Sequence, residues 1–120
     1  MIEITFVCFG NNFYEYHSEG HADFYPGNDI VCAAVSALSY ALLCTLENIE
    51  NLVVEKEIKA GNMNIAVASE HKYVRAVANT AFTTVFIGLK QVELTCPEHV
   101  KVTLLTEESN LQKHDKIKTE

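Results

Sequence analysis

The sequence predicts an α+β fold, a two-layer sandwich in which a mainly antiparallel sheet of order ββαββαβ carries two packed helices. Three observations lead there. Short stretches alternate apolar and polar residues, the period of a strand. Two long stretches repeat apolar residues at three and four, the period of a helix. Gly-Asn pairs between neighbouring strands mark hairpins, and hairpins impose antiparallel pairing.

The elements follow in order. Ile2, Ile4, Phe6 and Cys8 alternate with Glu3, Thr5, Val7 and Phe9 in a first strand. Gly10-Asn11-Asn12 turns the chain into a second strand over 13–19, with Tyr14, Tyr16 and Ser18 on one face and Phe13, Glu15 and His17 on the other. Residues 20–27, with Pro26-Gly27, read as a loop. Asn28 or Asp29 is expected to cap a first helix that ends near Glu47 or Asn48. Its alanines allow close packing, and Val35, Leu38, Leu42, Leu43 and Leu46 supply buried bulk. Strands over 52–60 and 63–69 flank the Gly61-Asn62 turn. A second helix over 72–94 lines up Val74, Val77, Ala78, Ala81, Phe82, Val85 and Leu89, and Pro97 ends it. A fifth strand spans 99–106.

The organisation is a single domain over 1–106 followed by a polar C-terminal tail over 107–120. A length of 120 residues with 48% hydrophobic and 21% charged content suits a core that needs no metal or disulfide staple. The formal charge of −7 argues against a nucleic-acid partner, because neutralising phosphates takes clustered Lys and Arg. It suits a basic peptide. The four cysteines show no paired spacing, and no basic segment leads into an apolar one at the N-terminus. A cytoplasmic protein with free thiols is the expectation. Residues 30–46 carry no charge, yet they include Ser36, Ser39 and Thr45; a helix buried on most sides of a soluble domain is expected there, not a membrane span. A subunit interface would cover whatever face of that helix the domain leaves bare.

Candidate chemistry gathers at the start of the first helix. Cys32 falls in or just past its first turn, where the partial positive charge of the helix terminus favours a thiolate. Asp29, Cys32 and Ser36 stand at i−3, i and i+4 and share one stripe. His21 lies upstream, and the residues between are enough to fold it back onto the thiol as a general base. Gly20 beside it permits close approach of backbone or ligand. Each residue also has an ordinary structural reading: Cys32 as a small core residue, Asp29 as a cap, Ser36 bonded to its own helix. Cys8, Cys44 and Cys96 look structural, with Cys44 deep in the helix. His17, His71, His99 and His114 have no partner at useful spacing, so no metal site is expected.

Gly20-His21-Ala22, followed by Asp29-Ile30-Val31-Cys32-Ala33-Ala34-Val35-Ser36-Ala37-Leu38, resembles the GHA…DIVCAAVSAL pattern of the ribosomal-processing cysteine protease Prp family. Gly88-Leu89-Lys90-Gln91-Val92 and the segment from Pro97 to Val102 extend the likeness more loosely, over about residues 1–106. Two features depart from the pattern. The loop Asp23-Phe24-Tyr25-Pro26-Gly27-Asn28 is about a residue shorter than in many members, and Cys96 precedes Pro97 where an aromatic residue is usual.

The resemblance implies a cytosolic endopeptidase, homodimeric and without a cofactor, that removes the N-terminal extension of a large-subunit ribosomal protein, the one numbered twenty-seven. His21 would be the base and Cys32 the nucleophile, with Gly20, Asp29 and Ser36 supporting them. The alternative is a non-enzymatic assembly factor that binds the same ribosomal protein and uses Cys32 as a structural or redox-sensing thiol.

Overall fold

A computed structural model of the chain describes residues 1–20 and 28–107, with Asn28 and Asp29 described by their backbone alone. The elements run β1 (Ile2–Phe9), β2 (Asn12–Glu19), α1 (Asn28–Glu47), β3 (Val53–Lys59), β4 (Asn62–Ala68), α2 (Lys72–Thr95) and β5 (Val100–Thr106). They form one five-stranded sheet of order β3-β4-β2-β1-β5. Every pairing is antiparallel except β1 with β5, which is parallel.

That order explains where the helices go. β2 and β3 run the same way with β4 between them, and β4 and β5 run the same way with β2 and β1 between them. Each of these connections is therefore a crossover that a helix must bridge. The two crossovers move in opposite directions along the sheet and follow strands of opposite sense, so right-handedness in both places α1 and α2 on the same face. The expected sandwich is the result.

One continuous core fills the space between the layers. Ile2, Ile4, Phe6, Tyr16, Met63, Ile65, Val67, Val100 and Val102 face Val31, Val35, Leu42, Leu43 and Leu46 of α1 and Ala78, Phe82, Val85 and Leu89 of α2. The helices also touch each other closely: a methyl at Gly88 would sit 3.2 Å from the Leu38 side chain.

Three expectations about facing need correction. The β1–β2 register slips between Val7 and Cys8, so that Glu15 pairs with Val7 and Phe13 with Cys8 while Tyr14 is passed over. This bulge turns Phe13 inward beside Tyr16 and sends Tyr14 to the opposite face, where it packs with Val7 and Phe9. Next, α1 is not buried on most sides. Ala33, Ser36, Ala37, Ala41 and Cys44 are exposed, as are Ile30 at 74% and Tyr40 at 46%. Sheet and α2 cover one side of the helix, and its small residues point outward. Cys44 therefore lies on the surface. By length and composition the stretch Ile30–Glu47 could cross a membrane, and 33% of it is buried within the domain. Finally, Val77 on α2 is exposed, because the face that meets the core is the narrower stripe of Val74, Ala78, Phe82, Val85 and Leu89.

The two sheet edges differ. At β5, the backbone N–H of Val102 donates to Glu93 of α2 at 2.7 Å, and Lys90 Nζ donates to the other oxygen of that carboxylate at 2.8 Å. These bonds, the Lys90 bond foremost, hold the Glu93 carboxyl below the usual carboxylate range. A depressed carboxyl contributes stability above its ordinary pKa and loses it as pH falls through the lower folded value. The variant Glu93→Gln is therefore expected to unfold about 1 kcal/mol more easily at pH 7. The gap should close below the carboxylate range, where both side chains are neutral. Urea midpoints at pH 7 and in acid check this.

Candidate active site

Cys32 is the fifth residue of α1, just beyond the four whose amides have no helical carbonyl to bond. Asn28 and Asp29 thus stand within the first turn and not ahead of it. The Cys32 side chain is half-buried and lines a cavity of about 190 Å³. The cavity sits where the start of α1 crosses the ends of four strands: Ile2 of β1, Ser18 and Gly20 at the end of β2, and Ile58, Lys59, Asn62 and Met63 around the β3–β4 turn.

The stripe expected on α1 is present from Cys32 onward. Ser36, one turn along, lines the same cavity, and so does Ser39, a further turn along. Ser39 is buried and shares a hydrogen bond with the hydroxyl of Tyr16, itself fully buried on β2. Burial pushes the Tyr16 phenol up, against the opposing effect of the Ser39 bond, so it stays protonated. The Ser39 hydroxyl that lines the cavity is therefore held by a neutral, buried partner. Ser39, to which the sequence alone assigns no part in the site, follows Cys32 by seven and Ser36 by three, the spacing of one helix face.

Gly20 is held by two features. Its φ is +99°, a conformation that side chains rarely adopt. A Cβ there would lie 2.4 Å from the Met1 carbonyl oxygen. Its N–H donates to the Gly61 carbonyl at 2.9 Å, which ties the end of β2 to the β3–β4 turn. The close approach expected at this glycine is made by the chain's own backbone. The residue after it, His21, lies outside the described residues, as do the rest of the 20–27 loop, the Asp29 side chain and the tail beyond Glu107.

The other cysteines differ from Cys32 in place. Cys8 is buried on β1, and burial pushes its thiol up. Cys44 is exposed on the outer side of α1, and Cys96 closes the end of α2. All four thiols are free. His17 is engaged elsewhere, on the helix-free face of the sheet. One ring nitrogen bonds Glu15 at 2.9 Å and the other the Asn64 side-chain oxygen at 2.7 Å.

Comparison with known proteins extends this picture. A family model described as "Cysteine protease Prp" matches residues 1–101. Among solved structures, SMU.848 from Streptococcus mutans is similar with a TM-score of 0.77 and 27% identity, covering 89% of this chain and 96% of that one. The essential ribosomal processing protease Prp from S. aureus, solved with a substrate peptide, superposes with a TM-score of 0.74 at 18% identity, over 87% of this chain and 99% of that one. The same enzyme with a covalently linked product peptide gives 0.74 at 19% identity. At those identities the S. aureus likeness is one of fold. No curated protein matches the chain.

Proposed function

The chain belongs to the cysteine protease Prp family, and from that premise we propose that it is a cysteine endopeptidase that removes the N-terminal extension of a large-subunit ribosomal protein, the one numbered twenty-seven, during ribosome assembly. One observation carries the catalytic assignment: Cys32 and Gly20, the residue immediately before His21, line the same cavity. The chain thus leaves β2 at this cavity and returns as the helix that carries the thiol.

In the proposed reaction His21 takes the proton from Cys32, and the sulfur attacks the scissile carbonyl carbon. The tetrahedral intermediate collapses to a thioester as the C–N bond breaks, and His21 gives the proton to the departing amine. His21 then draws a proton from water, the hydroxide attacks the thioester, and the carboxylic acid leaves as the thiol is restored. The unpaired amides of the first turn of α1 are the nearest candidate donors for the oxyanion. Asp29 would orient His21 or hold that turn, and Ser36 would steady the thiol. No metal or cofactor takes part.

The proposed substrate suits the charge of the chain: a ribosomal-protein tail is basic, and this protein carries −7. Incubation with the extended ribosomal protein from the same genome tests the reading. Cleavage at one site near its N-terminus is the expected outcome. Binding without cleavage would favour the assembly-factor alternative.

We further propose a homodimer in the cytoplasm, joined through the outer side of α1. The exposed Ile30, Ala33, Ala37, Tyr40, Ala41 and Cys44 make an apolar surface on a helix whose other side is locked into the core, so inserting that helix in lipid would open the domain. Ala37→Glu should turn a sedimenting dimer into a folded monomer with the far-UV circular dichroism unchanged and a melting temperature that no longer depends on concentration. A wild-type protein that sediments as a monomer at micromolar concentration would remove this proposal.

A further inference from the structure

Resting on the protease reading, we propose that the outer edge of β3 binds the main chain of the substrate peptide as an added strand and so delivers the scissile bond to Cys32. The cavity of about 190 Å³ has room for a side chain or two, far less than a gripped peptide. The remainder of the peptide must lie on the surface next to it. Among the described residues, β3 is the terminal strand on that side of the sheet, and no strand pairs with its outer edge. It is also open: Val53 and residues 55–59 are exposed, and only Val54 is partly covered.

The contrast with the opposite edge supports a binding role. At β5 the Val102 amide is closed off by Glu93 of α2. No described side chain bonds a backbone group of β3. Open edges are a hazard that proteins usually blunt. Glu55, Lys56, Glu57 and Lys59 guard β3 against indiscriminate pairing, while its free backbone beside a thiol-bearing cavity suits recognition of an extended peptide of matching charge.

Continuity and charge point to the same occupant. Ile58 and Lys59, the last residues of β3, line the cavity that holds Cys32. Ile58 is also exposed, so the cavity opens toward this edge. The seven residues of β3 give an edge of about 20 Å, enough to register a short extended segment. Along it, Lys56 is taken up by Glu47 at 2.6 Å, which leaves Glu55 without a cation beside it among the described ion pairs. An extended basic peptide fits such an edge better than an acidic one.

The test uses a synthetic peptide spanning the N-terminal extension of the ribosomal protein from the same genome, together with copies that each carry one backbone N-methyl group. Strand addition uses alternate amides only, so kcat/KM should fall about tenfold at every second residue on one side of the scissile bond and little at those between. Hydrogen exchange of the Cys32→Ala protein should show slower exchange at alternate amides of β3 when the unmodified peptide is bound. A flat N-methyl profile, or β3 amides that exchange equally fast with and without peptide, overturns the proposal while cleavage of the unmodified peptide still upholds the protease. Failure of the wild-type protein to cleave the peptide at all overturns both.

Discussion

Cys32→Ala and His21→Ala are each expected to lower cleavage of the extended ribosomal protein by about a thousandfold or more, and the double variant to be scarcely worse than either. Residues that act as one chemical unit fail together in this way, because a nucleophile without its base and a base without its nucleophile leave the same residual activity. The structural cost is small by comparison. Cys32 is half-buried at the edge of a cavity, so losing its sulfur should shift stability by less than about 1 kcal/mol. Melting curves separate a chemical loss from a folding one. Cys44→Ala is the control: that thiol is exposed on α1 outside the cavity, and its loss should leave cleavage intact. Full cleavage by Cys32→Ala would assign that thiol a structural or redox role and place the nucleophile on another residue.

The parts of this fold that depend on local periodicity were readable in the chain. The alternation of Ile2, Ile4 and Phe6 marks a buried face, and so does the three-four repeat at Val74, Ala78, Phe82, Val85 and Leu89, with Val77 the exception. The extra residue at Tyr14 has no signature of its own, since a bulge is settled by how two strands meet. The facing of α1 was also out of reach. A helix apolar all round has no periodic contrast to say which side meets the sheet, and the alanines and Cys44 proved to be outside. At the site, Cys32, Ser36 and Gly20 were legible because helix spacing and turn chemistry are local. Ile58, Lys59 and Asn62 complete the cavity from a distant hairpin. Only the pairing of β2 with β4, which sets Glu19 against Asn62, brings them there.

The largest effect on stability is expected from Phe6→Ala. Phe6 lies on β1, between β2 and β5, and is fully buried. Its ring meets those of Tyr16 at 5.0 Å, Phe86 at 5.2 Å, Phe13 at 5.8 Å and Phe82 at 6.5 Å, each edge to face. Truncation removes one partner from four aromatic pairs and leaves a void between the sheet and α2, beside the stacked Phe13 and Phe82. Removing a buried phenylalanine costs about 3–5 kcal/mol. Against a typical total of about 5–15 kcal/mol, that is a large share. The corresponding fall in melting temperature is roughly 10–20 °C for a domain of this size. Phe6→Leu should recover more than half of the loss, since it restores bulk without the edge-to-face contacts. Tyr73→Ala, at a residue 80% exposed on α2, should change stability by less than about 0.5 kcal/mol. The same ring supports Tyr16, whose hydroxyl meets Ser39 under the cavity, so cleavage by Phe6→Leu below its melting range should fall several-fold through kcat. A loss below about 1 kcal/mol for Phe6→Ala would mean that this aromatic cluster does not hold the layers together.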